Sequence, residues 1–150
     1  MSVSSSDIDK AVANLADKDA RVRRAALEAL GKSPEAVAQH GAAIAQRLED
    51  GDADVRYAAV RALGASPEAL AQHGAAIVQR LGDDKSTVRR AALVALGKSP
   101  EAAARHSEAI VQRLEDGDAY VCSAAVQAHL AAAEALGKSP EAAARHGEAI

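Results

Sequence analysis

Aromatic side chains are nearly missing from this chain: two tyrosines stand in 150 residues, with no phenylalanine and no tryptophan. A sheet-rich domain normally recruits aromatic and β-branched residues, so their scarcity argues against a β fold. Platforms that stack single-stranded bases need aromatic faces and are excluded as well. The single cysteine, Cys122, can build neither a disulfide framework nor a thiolate zinc site. An intracellular, reducing compartment is expected, most simply the cytoplasm. The start, Met1 through Asp7, is polar and lacks the apolar core of a secretion signal. No stretch approaches the ~18 uninterrupted apolar residues of a membrane span, so no membrane partner is expected. An excess of positive charge is also missing. Eighteen basic and 21 acidic residues leave a formal charge of −3, which disfavours a protein that grips nucleic acid by its phosphates.

What the chain has instead is alanine, 40 residues of it. A core without large rings must come from close helix contacts between small side chains, with scattered Leu, Ile and Val. The alanines follow a period. Leu15, Leu48, Leu81 and Leu114 are each 33 residues apart, and Val22, Val55, Val88 and Val121 keep the same step. The unit from Pro34 to Ser66 matches the unit from Pro67 to Ser99 at 22 of 33 positions. The chain is therefore a tandem array.

Each unit reads as two helices. The first opens at Ser33-Pro34-Glu35, Ser66-Pro67-Glu68, Ser99-Pro100-Glu101 and Ser139-Pro140-Glu141. Serine caps free N–H groups, proline at N1 lacks the donor that would be orphaned, and glutamate suits the dipole. Leu70, Gly74, Ile77 and Leu81 then fall on one helical face. A short acidic turn follows, with Asp52 expected to cap a second helix whose buried face reads Val55, Ala58, Ala59 and Ala62. Gly31, Gly64, Gly97 and Gly137 are expected to end the second helices in the left-handed C′ conformation. Hairpins joined this tightly must stack as an α-solenoid.

The run from Leu48 to Gly64 resembles the second half of a HEAT repeat. The resemblance implies an all-α, right-handed solenoid of about four and a half repeats. Their approximate spans are 6–31, 33–64, 66–97 and 99–137, with a half repeat at 139–150. It also implies a ladder in which Asp19, Asp52 and Asp118 pair with Arg23, Arg56 and Arg89. Lys85 and Cys122 stand where an aspartate and an arginine belong, so interruptions are expected at both. HEAT arrays serve mainly as binding scaffolds, so the resemblance implies a non-catalytic interaction protein with a protein or peptide partner.

The fourth unit departs from the step. Gly97 to Gly137 spans 40 residues, and the segment from Ala124 to Gly137 looks like one heptad written twice. A second helix running from about Asp118 to Leu136 is expected, its apolar face drifting by only ~20°. The extra rise of ~10 Å would take the final helix out of register. Such a helix either projects and pairs with another chain, making a homo-oligomer, or simply caps the array. The sequence ends in mid-unit at Ile150, which fits a fragment of a longer array or an end covered by association. Units this alike also fit a recently duplicated or engineered array.

Candidate chemistry is sparse. His40, His73, His106 and His146 recur on first helices, with the first three ~10 Å apart on neighbouring helices, too far to share a metal at ~2 Å per bond. A packing role with a hydrogen bond to a loop is expected. One enzyme family built on HEAT-like repeats, the deoxyhypusine hydroxylases, holds two irons with adjacent His-Glu pairs. Here His106 and Glu108, like His146 and Glu148, are split by one residue and turned ~200° apart. A metal-dependent enzyme is thus the third reading, and no cofactor, metal ligand or catalytic residue is assigned. The acidic turns are too short for a twelve-residue calcium loop.

Comparison among units is more informative. Inward positions barely change, while outward positions of the second helices do. They read Arg24 and Glu28, then Tyr57 and Arg61, then Arg90 and Val94, then Ser123 and Gln127. Aromatic and arginine side chains anchor interfaces, so a partner is expected on this row, centred on Tyr57, Arg61 and Arg90.

Overall fold

Ser33, Ser66 and Ser99 each accept a hydrogen bond from the backbone N–H three residues on, at 3.2 Å, and proline follows each serine. These caps open the first helices of the computed structural model, which describes residues 3–138. The helices are α1 (Ser5–Asn14), α2 (Ala20–Leu30), α3 (Pro34–Gln39), α4 (Gly41–Gln46), α5 (Ala53–Gly64), α6 (Pro67–Gln79), α7 (Ser86–Gly97), α8 (Pro100–Arg105), α9 (Ser107–Gln112) and α10 (Ala119–Lys138). Second helices stack in series, α2 on α5, α5 on α7 and α7 on α10. First helices form the other layer, with α3 and α4 against α6, and α6 against α8. The expected inward faces are the core: Val55, Ala59, Leu63, Ile77 and Leu96 are fully buried between the layers.

Two first helices are broken rather than continuous. His40 leaves the helical region at φ −113°, ψ 21°, and His106 does so at φ −111°, ψ 24°, while α6 runs straight through His73. The His73 and His106 rings pack against the preceding repeat. A Cβ on Gly41 would lie 2.9 Å from His73 Nε2, and one on Gly74 would lie 3.4 Å from His106 Nε2. Among the described residues these histidines make no side-chain hydrogen bond, contrary to expectation. Burial, helped by the charge of Arg105, holds the His106 pKa below its usual value.

Asp19, Asp52 and Asp118 cap the second helices, each accepting N–H bonds of 2.9–3.1 Å. They are not the ladder. Arg23 reaches Asp50, Arg56 reaches Asp83 and Arg89 reaches Asp116, each through two bonds of 2.9–3.1 Å. The ladder carboxylate thus lies two residues before the cap, in the turn of the following repeat. Lys85 consequently interrupts nothing in the ladder; it only leaves α7 without a side-chain cap. At Cys122 the arginine is truly lost. Its Sγ donates to the Asp116 carbonyl at 2.9 Å, the bond that Arg56 Nη1 makes to the Asp50 carbonyl in its own repeat.

The glycines also differ from expectation. None of the described residues has positive φ; Gly31 sits at φ −62°, ψ −15°, and Gly64 is the last residue of α5. Their role is absence of bulk. A Cβ on Gly64 would meet the Ala95 methyl at 3.3 Å, and one on Gly97 would meet Ala128 Cα at 3.5 Å. Glycine against alanine is what lets successive second helices approach.

The long α10 follows the reading of a doubled heptad. Ala125 and Ala132, seven residues apart, are both buried, as near two-turn spacing requires. The expected half repeat at 139–150 lies outside the described residues.

The ladder fixes how stability responds to acid. The side chains of Asp50, Asp83 and Asp116 are only 3%, 1% and 4% exposed. At Asp50 and Asp83 burial alone would raise the pKa, but the arginine and backbone N–H bonds outweigh it; at Asp116 the Arg89 bond is the largest influence. All three are held below the ordinary 3.8. The unfolded chain therefore takes up protons first, and this stability is present above about pH 4 and lost as pH falls through the folded-state values. Arg56→Ala should cost about 3 kcal/mol at neutral pH by stranding a buried carboxylate, and should flatten the acid limb of the unfolding profile. Arg24→Ala, at an exposed pair, should leave stability almost unchanged. Lys85→Ser should raise stability by about 1 kcal/mol by capping α7. Chemical denaturation across pH tests all three.

Candidate functional site

The outward row is built by the helical period: positions four apart on a second helix share a face, and stacking lays these faces side by side. Between α5 and α7 this produces a groove of about 470 Å³ lined by Asp54, Tyr57, Arg61, Thr87, Arg90, Val94 and Lys98, floored by Gly64, Ala91 and Ala95. Between α7 and α10 a second groove of about 380 Å³ is lined by Arg90, Val94, Lys98, Tyr120, Ser123 and Gln127. Arg90, Val94 and Lys98 belong to both, so α7 is the rib between two halves of one surface.

Six of the eight expected residues therefore come together: Tyr57, Arg61, Arg90, Val94, Ser123 and Gln127. Arg24 and Glu28 line neither groove. They pair with each other at 2.9 Å on the exposed face of α2, where the Glu28 bond raises the arginine pKa. The sequence expectation for the row does not include Tyr120, Asp54, Thr87 or Lys98, all of which line the grooves. Lys98 was hidden because Gly97 reads as a helix end. In fact Lys98 keeps helical geometry at φ −72°, ψ −19°, and its Nζ lies 3.8 Å from the Cβ position of Gly64.

Charge separates this surface from the rest. The arginines facing the turns are ion-paired: Arg23, Arg47, Arg56, Arg80, Arg89 and Arg113 all meet carboxylates. Arg61 and Arg90 instead lie over tyrosine rings, Arg61 5.8 Å from the Tyr57 centroid and Arg90 5.5 Å from that of Tyr120. Such contacts orient a guanidinium without neutralising it. Val94 and Tyr120 stand 47% and 70% exposed beside them. Among the described residues no cluster of three or more His, Cys, Asp or Glu is arranged to hold a metal. No described helix is long and apolar enough to cross a membrane.

A family model described as HEAT repeats matches residues 41–130. The chain belongs to the HEAT-repeat family. Comparison of this HEAT array with solved structures finds an engineered protein and designed armadillo repeat proteins among its matches. An engineered protein superposes with a TM-score of 0.68 at 23% identity, covering 81% of this chain and 60% of that one. A designed armadillo repeat protein in complex with the peptide (KR)4 gives 0.69 at 19% identity, over 83% and 63%. A second designed armadillo repeat protein gives 0.67 at 23% identity, over 91% and 71%. At these identities the likeness is one of fold. The chain spans about three fifths of the first two neighbours. Comparison with curated protein sequences gives no match.

Because both tyrosines of the chain lie at the grooves and tryptophan is absent, intrinsic fluorescence reports on this surface alone. Arg90→Ala should change the Tyr120 emission while leaving the far-ultraviolet circular dichroism of the helices in place. An unchanged spectrum would mean that the guanidinium does not rest on the ring in solution.

Proposed function

We propose that this HEAT array is a non-catalytic scaffold that holds an extended protein or peptide segment across the outward face of its second helices. The observation that carries this reading is the rib of α7. It joins two grooves into one surface with exposed aromatic, aliphatic and unpaired cationic side chains, the residue types that anchor interfaces. The peptide held by a designed armadillo neighbour supports the same mode of use.

A second reading is self-association through the extended helix. Val126 and Leu130 on α10 are 45% and 57% exposed and one turn apart, which gives a second copy an apolar strip to cover. Light scattering on the ligand-free protein separates the two readings, since only the second requires a dimer.

The scaffold reading is tested by display selection of random peptides on the full chain. Wild type should enrich binders, and the Tyr57→Ala/Arg61→Ala/Arg90→Ala variant should not retain them. Arg61 and Arg90 are exposed and Tyr57 is half-buried, so the melting temperature should fall by less than about 6 °C. Equal affinity of the two proteins for the selected peptides would remove this surface from the function.

A further inference from the structure

We infer that the segment held by this surface is acidic: an extended peptide that places an apolar side chain on Val94 and carboxylates on the cations around it. The inference rests on the scaffold reading and names the chemistry of its ligand. Arg90 and Val94 on α7 and Lys98 at its C-cap stand at i, i+4 and i+8, a single stripe with a rise of about 6 Å between members. Arg61 faces that stripe across the first groove. The surface therefore offers an apolar contact flanked on three sides by positive charge.

These cations differ from most others in the molecule. Among the described residues Arg61, Arg90 and Lys98 take part in no ion pair, although the chain as a whole carries more acid than base. The acidic side chain lining the grooves is Asp54, one against three. A surface left cationic in an acidic protein steers acidic ligands toward it and repels basic ones. Tyr57 and Tyr120 strengthen the effect, because a guanidinium already resting on a ring loses less side-chain freedom when a carboxylate arrives. Bidentate pairing with guanidinium then favours carboxylate over a neutral amide. The same rings argue against single-stranded nucleic acid, since each already carries an arginine on one face and neither is free to sandwich a base.

The test measures fluorescence polarisation of three labelled peptides with the full chain: a repeat of Glu-Glu-Leu, its Gln-Gln-Leu counterpart and its Lys-Lys-Leu counterpart, together with an oligothymidine. The acidic peptide should bind about tenfold tighter than the glutamine peptide, and in about 1 M salt, where screening acts over about 3 Å, the difference should vanish. The basic peptide should not bind. In the Arg61→Glu/Arg90→Glu/Lys98→Glu variant the preference should reverse toward the basic peptide. Because none of the three makes an ion pair, unfolding of that variant serves as the control for folding. Equal binding of the acidic and glutamine peptides would overturn the inference while leaving the scaffold reading intact. Failure of all three, together with failure of the display selection, would overturn the scaffold reading itself. Tighter binding of the oligothymidine would overturn the inference in favour of phosphate recognition.

Discussion

A buried carboxylate in the turn of each following repeat is the constraint on which the stacking depends. Asp50, Asp83 and Asp116 are almost fully removed from water, and an unpaired carboxylate there is strongly unfavourable. The partner arginine comes from the repeat before, 27 residues upstream, and also bonds a carbonyl in its own turn. One guanidinium thus ties its own turn to the next. The aspartate answers by accepting the backbone N–H two residues on, which fixes the extended turn that aims the second helix. A hairpin that slipped against its neighbour would strand both charges, so the ladder selects the register, while Leu, Ile and Val supply most of the apolar burial and alanine and glycine allow the close approach.

That ladder shows how much of the architecture was legible. Helix pairs, serine caps, inward faces and the doubled heptad of α10 were all readable, because each is a local pattern repeated at a fixed step. The identity of the ladder aspartate was not, because the cap and the ladder residue keep the same step of 33 and differ only by two positions. A discriminating signal did exist. The position of Asp50 is aspartate in every unit, at Asp17, Asp50, Asp83 and Asp116, whereas the cap position admits Lys85. A lost cap costs about 1 kcal/mol, while a lost rung costs several, so only the rung must recur without exception.

The glycines show the complementary ambiguity. A recurrent glycine records that a side chain is forbidden, and two physical causes write the same letter: a backbone that needs positive φ, or a neighbour that leaves no room. At Gly64 and Gly97 the neighbour decides: each glycine ends its helix as expected, but without positive φ. This displaced the reading of the surface as well. With a left-handed Gly97, Lys98 would belong to a connection; with Gly97 right-handed and Lys98 itself in helical geometry as the C-cap of α7, Lys98 completes a stripe with Arg90 and Val94. The outward row was visible as the positions that vary, but its far end depended on a backbone conformation that the letter G alone does not reveal.

The two arginine populations explain why such a surface can vary without cost to the fold. Ladder arginines work in a desolvated turn, where charge must be matched. Groove arginines work at the solvent boundary, where an unmatched charge stays hydrated and a tyrosine face suffices to orient it. Because consecutive repeats stack mainly through their inward faces and turns, substituting an outward residue changes the surface before it changes how the array stacks. The variation from Arg24 to Tyr57 to Arg90 to Ser123 along one row is therefore compatible with the stacking, and it is what the proposed recognition face requires.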